Sequence, residues 1–411
     1  MGMLFEWLKY PMPLKAWMGF IVLFPFYFFR SGLPQIADWL LAALIVYELT
    51  SQKQNLPKRI QTVINPLRLF ALYVCIVSLC WMPFIEAPSS RTYLLFIFPM
   101  FYVYNAMAFW LAMRFYHRYM ALFLRGTLVA ITCSVLCQLV LMPVAPSSGV
   151  RGTLFFNNPN QLGYFSLIAL SMFLYIERFT ATSMLIKAAF FVGTCLFASI
   201  SNSKAALVSS VILIAINLVD SGAVRFKHFV GGLFAIGLVV LIVTKTDFGQ
   251  EFYERAINRV SGIGTDSDDN LSGRGYDRIW MHPHYNIVGA GEGGWERFYR
   301  DPKRRYEMHS TFGTILFSYG IPGSFLFCLF VYRVFKGTSP ISLCYAVPMF
   351  AYGATHMGLR FTLFWVFFAL VFATRDFEEL RKKSIQLAKT KRLSVQQRPR
   401  QLPPRQGLPA N

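Results

Sequence analysis

Apolar residues in this chain gather into twelve runs separated by polar connections. Their approximate limits are 13–30, 33–49, 67–86, 92–113, 120–143, 160–176, 184–200, 204–219, 228–244, 310–333, 341–355 and 358–374, with 204–219 and 341–355 the shortest. A helix that crosses hydrocarbon needs roughly 20 mostly apolar residues, fewer where flanking side chains reach the interface. Lipid offers the backbone no hydrogen-bond partners, so spans of this kind are helices. The pattern predicts an all-α polytopic membrane protein of about twelve transmembrane helices, without an evident internal repeat.

Basic residues divide unevenly among the short connections. Lys53, Lys58, Arg59, Arg114, Arg118, Arg178, Arg225, Lys227, Arg333 and Lys336 lie in the even-numbered ones; the odd-numbered ones hold only Arg91, Arg151, Lys204 and Arg360. The tail after Thr374 belongs to the even side and carries ten Lys/Arg against three acids. The positive-inside rule then predicts both termini in the cytoplasm and the odd connections outside. No small-x-small cleavage pattern follows the run from Trp17 to Phe29, which continues into a second run, so it reads as a first span and not as a signal peptide.

One outward connection, 245–309, is long and holds ten Lys/Arg and eleven Asp/Glu. Loops of this length escape the charge rule and are usually functional or folded in their own right. Within it, 249–264 has a weak helical pattern, Gly264–Gly275 is polar and turn-rich, and GAGEGG (289–294) reads as a flexible glycine cluster. Two regions result: a membrane domain, 1–374, that carries this loop, and a basic cytoplasmic extension, 375–411, whose Pro399, Pro403, Pro404 and Pro409 predict disorder.

Composition narrows the class. The chain is 55% apolar and 15% charged, against about 25% charged in soluble domains. A soluble globular protein, a disordered chain and a small disulfide scaffold are excluded. The net charge of +20 raises nucleic-acid binding, but the tail supplies seven of that excess (ten minus three) and the rest is scattered between apolar runs. Nucleic acid is therefore not an expected partner. All seven cysteines lie inside apolar runs, with no CxxC pair, so no disulfide framework is expected.

Five polar stretches fall on the predicted outer face: 151–166, 199–210, 271–280, 307–323 and 355–360. Each candidate has an ordinary reading beside a chemical one. Asn157, Asn158 and Asn160 suit an N-cap; Lys204 at a helix end suits snorkelling to headgroups, as does Arg125; Arg274 suits a loop ion pair with Asp277 or Asp269; His309 suits an interfacial position. His282 and His284 lack a third ligand nearby for zinc. TDSDDN (265–270) lacks a full calcium-loop pattern.

Taken in order, these stretches resemble the O-antigen ligase and O-antigen polymerase superfamily of bacterial inner-membrane glycosyltransferases. The likeness rests on Asn157-Asn158-Pro159-Asn160 opening a span, the small-polar turn Ser203-Lys204-Ala205, Gly273-Arg274 in the loop, Gly289 and Gly291, and His309 heading a span with Tyr319-Gly320 following. It covers roughly 150–325. Two residues depart from the family pattern: Lys204 where Arg is usual, and Ser310 after the histidine where Asn is common.

The resemblance implies a metal-independent enzyme without a cofactor. It would transfer a glycan from a polyprenyl-diphosphate donor to a sugar acceptor outside the cytoplasmic membrane. Arg274 and His309 are the expected catalytic residues, the first holding the diphosphate as its charge grows and the second taking the proton of the acceptor hydroxyl. Lys204, Arg151, Asn160, Arg360 and His356 are the further candidates for substrate binding. The two departures favour a polymerase of exopolysaccharide or O-antigen; a ligase acting on lipid A-core is the alternative, and a protein glycosyltransferase a third version. A polymerase would have a chain-length regulator as a possible partner. A polysaccharide transporter or flippase is the rival class, disfavoured because the apolar runs hold almost no central charge.

Overall fold

The computed structural model describes residues 9–30, 32–51, 55–84, 93–145, 152–180, 182–220, 271–298 and 307–396. All regular structure among them is helical. The long helices are α1 (Met12–Leu23), α2 (Ile36–Ser51), α3 (Lys58–Trp81), α4 (Leu94–Tyr119), α5 (Ala121–Leu141), α6 (Pro159–Glu177), α7 (Met184–Ile200) and α8 (Lys204–Asp220). Two short loop helices, α9 (Asp277–Met281) and α10 (Tyr285–Val288), precede α11 (Thr311–Phe335), α12 (Pro340–Cys344), α13 (Val347–Thr355) and α14 (Thr362–Gln396). Among the described residues, four helical segments are long and apolar enough to cross a membrane: Lys58–Phe84, Leu94–Tyr119, Ala121–Val144 and Thr311–Phe335.

Every predicted apolar run carries a helix except 228–244, which lies outside the described residues. Three differ from expectation in form. Helix α1 stops at Leu23, because Pro25 has no N–H to continue the ladder. The run 341–355 forms two short helices, α12 and α13, since Pro348 interrupts the donors at the same place. The start of the basic extension, 375–396, continues α14 as helix. Its Glu, Leu, Lys, Arg and Gln residues are good helix formers, and no Gly or Pro intervenes before Pro399.

Helix α6 and the first half of α14 form the centre. Leu162–Ile176 and Leu363–Ala373 are buried on all sides, as expected for helices that are apolar all round. The outer helices turn large apolar side chains outward, among them Val140, Leu185 and Phe325.

The two ends of this bundle differ. At one end the basic connections are tied down by acids. Glu48 pairs with Arg114 and Arg118, each at 2.8 Å. Asp376 pairs with Arg59 at 3.3 Å and accepts a hydrogen bond from Tyr116 at 2.7 Å, and Asp220 pairs with Arg178 at 3.1 Å. The Arg375 guanidinium caps the end of α11 by donating to the carbonyls of Arg333 and Val334. All these cations come from the even-numbered connections and the tail. The opposite end collects the described parts of the odd-numbered connections, with Asn160, Arg274, His309, His356, Arg360 and the start of α8.

Helix α11 is broken part-way along. Gly320 sits at φ 62°, ψ −166°, and Pro322 follows. The break frees the carbonyls of Phe317 and Ser318, and the loop 289–291 fills it: Ala290 N–H donates to Phe317 O at 3.0 Å and Gly291 N–H to Ser318 O at 2.8 Å. The loop's own carbonyls are satisfied in turn. Tyr73 Oη donates to Val288 O at 2.6 Å, Trp81 Nε1 to Gly289 O at 2.7 Å and Arg297 to Ala290 O at 2.7 Å. Irregular backbone inside a helical bundle is tolerable only when its polar groups are paired this way. The segment read as a flexible glycine cluster is therefore locked among α3, the start of α4 and α11.

Candidate functional site

Helix starts and ends bring the five polar stretches together. Asn158 caps α6, its side chain accepting from Asn160 N–H at 2.8 Å, while Asn157 donates to Phe29 O at 2.6 Å. Two of the three asparagines thus have structural partners of the ordinary kind. On α6, Gly163 lies flat against the turn between α7 and α8, where an added Cβ would stand 2.9 Å from Ser201 Oγ and 3.1 Å from Ser203 Cβ. Lys204 opens α8 beside that turn. Tyr164 stacks on Tyr352 at 5.0 Å, Tyr352 stacks on His356 at 4.2 Å, and Tyr352 Oη donates to Asn160 O at 3.1 Å.

The link continues to α11. Thr311 N–H and Oγ1 both donate to His356 O, at 3.1 and 3.0 Å, and Thr311 Oγ1 accepts from Gly358 N–H at 3.0 Å. Ser310 caps α11, its hydroxyl accepting from Gly313 N–H at 3.0 Å. The turn Leu271–Tyr276 closes over this junction. His309 N–H donates to Arg274 O at 3.0 Å, the Arg274 guanidinium donates to Thr355 O, and Tyr276 Oη bridges Ser310 Oγ at 2.5 Å and Ala354 O at 2.6 Å. Arg274, His309, His356, Asn160 and the start of α8 therefore share one end of the bundle. His309 is exposed at its surface, with Arg274, His356 and Asn160 half-buried around it. Arg151 and the acidic stretch 265–270 lie outside the described residues, as does 249–264.

Arg360 belongs to a second, deeper cluster that adjoins the first through the 355–360 turn. The turn is fixed by Leu359 O, which accepts from Trp365 Nε1 at 2.7 Å and Asn105 Nδ2 at 3.2 Å. The Arg360 guanidinium lies over the Phe98 ring at 4.3 Å. It pairs with Glu292 at 3.4 Å and, more closely, with Glu307. Glu292 is 3% exposed, and its Oε2 accepts from Tyr102 Oη at 2.5 Å and Tyr319 Oη at 2.8 Å. Burial pushes the Glu292 carboxyl above its usual range, with Arg360 and the two phenols acting the other way. Burial also works against the charged guanidinium of Arg360, but the carboxylates of Glu307 and Glu292 outweigh it and hold its pKa up. Glu292 and Glu307 also line a small cavity with Arg278, Trp295, Thr314 and Ser318.

Glu292, Glu307, Tyr102 and Tyr319 were not among the candidates from sequence. A carboxylate inside a glycine run looks like a loop residue; the available hint was that three of its glycines, with Gly320 opposite, would bring backbones into contact. Among the described residues no three His, Cys, Asp or Glu side chains group as metal ligands. No protein-family model matches the chain, and no curated protein matches it either.

Proposed function

We propose that this protein is a glycosyltransferase of the O-antigen polymerase and ligase type. It would sit in the bacterial inner membrane with about twelve spans and cytoplasmic termini. One observation carries the reading: the stretches that hold Arg274, His309, His356, Asn160 and Lys204, far apart in sequence, meet at the bundle end opposite the basic connections. Arg274 and Lys204 hold the diphosphate of the donor, and His309 accepts the proton of the acceptor hydroxyl. That oxygen bonds to the anomeric carbon as the bond from carbon to diphosphate oxygen breaks, and polyprenyl diphosphate leaves. We favour a polymerase of exopolysaccharide or O-antigen, with a lipid-linked acceptor; the ligase reading differs only in taking lipid A-core. A transporter is less well supported, because the break in α11 is filled by the protein's own loop.

Two measurements test this. In a cysteine-depleted background, Ser267→Cys should react with a membrane-impermeant maleimide added outside intact spheroplasts; labelling only after the cytoplasm is opened would overturn the orientation. Arg274→Ala should lower glycan transfer by about 100-fold at equal protein level, the usual cost of one electrostatic contact to the transition state. Arg274→Lys should recover part of it, since the charge remains and the planar fork is lost. Unchanged transfer in Arg274→Ala would remove Arg274 from the site.

A further inference from the structure

We infer that the loop helices α9 and α10 form a re-entrant element whose outer face, made by Trp280, Met281, Ile287 and Val288, is seated among the acyl chains of the lipid leaflet at the candidate-site end of the bundle. The segment belongs to a polar connection, yet its side chains are arranged the wrong way round for water. Asp277 and Arg278 turn inward, 3% and 1% exposed, and the Arg278 guanidinium lies over the Phe298 ring at 5.8 Å. The four apolar side chains turn outward, each 54–61% exposed. From 277 to 289 the other exposed positions are Pro283 and His284, so no Lys, Arg, Asp or Glu faces out. A surface in water reverses this order, and a face in hydrocarbon requires it.

Depth points the same way. Tyr73, whose hydroxyl holds Val288 O, lies eight residues, roughly 12 Å, inside the end of α3 at Trp81. Gly320 lies nine residues, roughly 14 Å, inside the start of α11. A Cβ on Gly320 would stand 2.5 Å from Val288 C and 2.7 Å from Ile287 O. Helix α10 therefore ends well below the tips of two helices that are long and apolar enough to cross a membrane. Its outward residues continue the outward faces of those helices, Leu72 and Ile76 on α3 and Ile321 and Phe325 on α11. The medium that surrounds those four side chains surrounds Ile287 and Val288 too. Irregular backbone is permitted at this depth because the carbonyls of Val288, Gly289 and Ala290 are paired by Tyr73, Trp81 and Arg297. The Arg274 turn leads directly into α9, so an embedded α9–α10 fixes that turn at the level of the lipid surface.

The inference rests on the membrane setting of the proposed function and not on glycan transfer. The experiment uses the full-length chain in a cysteine-depleted background, with one cysteine introduced at a time and labelled with a nitroxide. Each variant is reconstituted into phosphatidylcholine–phosphatidylglycerol liposomes at a high lipid-to-protein ratio. Electron paramagnetic resonance saturation then compares contact with oxygen, which concentrates in hydrocarbon, against contact with a water-soluble nickel chelate. Trp280→Cys and Ile287→Cys should give the same oxygen-to-nickel ratio as Leu72→Cys, the reference on the outward face of α3. That ratio should exceed the one at Lys383→Cys, the aqueous reference on the basic extension. All four positions are exposed, so the labels disturb no packing. Ratios at 280 and 287 equal to that at 383 would place the loop in water and overturn the inference, while a lipid-like Leu72 would leave the membrane setting standing. Low contact with both reagents at 280 and 287 would mean that a second copy of the chain covers the face, which also overturns it. A water-like Leu72 would remove the membrane setting and the inference with it. Lipid contact at 280 and 287 in a protein without glycan transfer upholds the inference and rejects the glycosyltransferase reading alone.

Discussion

His309→Gln should leave glycan transfer about 10²- to 10⁴-fold below the parent rate, while binding of the diphosphate donor persists. His309 is exposed at the end of the bundle, one residue before the cap of α11, and its backbone N–H is pinned to Arg274 O. That bond fixes where the imidazole starts without using a ring nitrogen. Glutamine keeps the size and a hydrogen-bonding group but cannot accept a proton at neutral pH. The two substitutions at this junction should separate cleanly: Arg274→Ala weakens donor handling, and His309→Gln spares it. The measurement is purified protein with a synthetic polyprenyl-diphosphate glycan, read for both binding and turnover, in chelator and across pH. Near-normal turnover in His309→Gln would move the base elsewhere, with His356 the next residue to test. Loss of parental activity in chelator would make the proposed metal-free chemistry wrong.

Gly289→Ala should lower stability by roughly 2–6 kcal/mol, combining backbone strain with overpacking, and should abolish transfer with it. Gly289 has φ 108°, and a Cβ there would lie 2.5 Å from Ser318 O and 2.6 Å from Tyr319 Cα. Both obstacles are backbone, so no side chain can swing aside. The methyl group would push the loop out of the break in α11, releasing the carbonyls of Phe317 and Ser318 and withdrawing Glu292 from Tyr102, Tyr319 and Arg360. Gly32→Ala is the control, because Gly32 has φ 92° with nothing within 4 Å of the added carbon. It isolates the dihedral cost, about 1 kcal/mol. Thermal unfolding in detergent, followed for both variants, decides the matter; equal small losses would show that the close approach does not matter.

The helices were legible because an apolar run and its flanking charges are local properties. The start of α6 was legible in Asn158, a favoured N-cap residue; the capping roles of Ser203 and Ser310 at the starts of α8 and α11 were not read from the sequence. The grouping of Arg274, His309 and His356 was legible only as a shared side of the predicted topology; the bonds joining them run between residues 35 to 81 positions apart, which no local pattern reports. The role of Glu292 could not be read at all. A glycine run encodes slack and tight backbone approach equally well, and the difference lies in Gly320 and Pro322, some thirty residues on. The division of 341–355 into two helices was visible in Pro348, but a proline within an apolar run is also compatible with a kinked single helix.

The break in α11 also constrains the order in which the molecule can be assembled. Two carbonyls in the middle of that helix have their partners on the loop that precedes it in the chain, and the loop has its own on Tyr73 and Trp81 of α3. A bilayer cannot supply those partners. In the proposed membrane setting, helix α11 would therefore be poorly suited to partition into lipid as an independent unit during synthesis; it would have to enter alongside its plug, on a platform of α3 and α4 that the ribosome has completed about two hundred residues earlier.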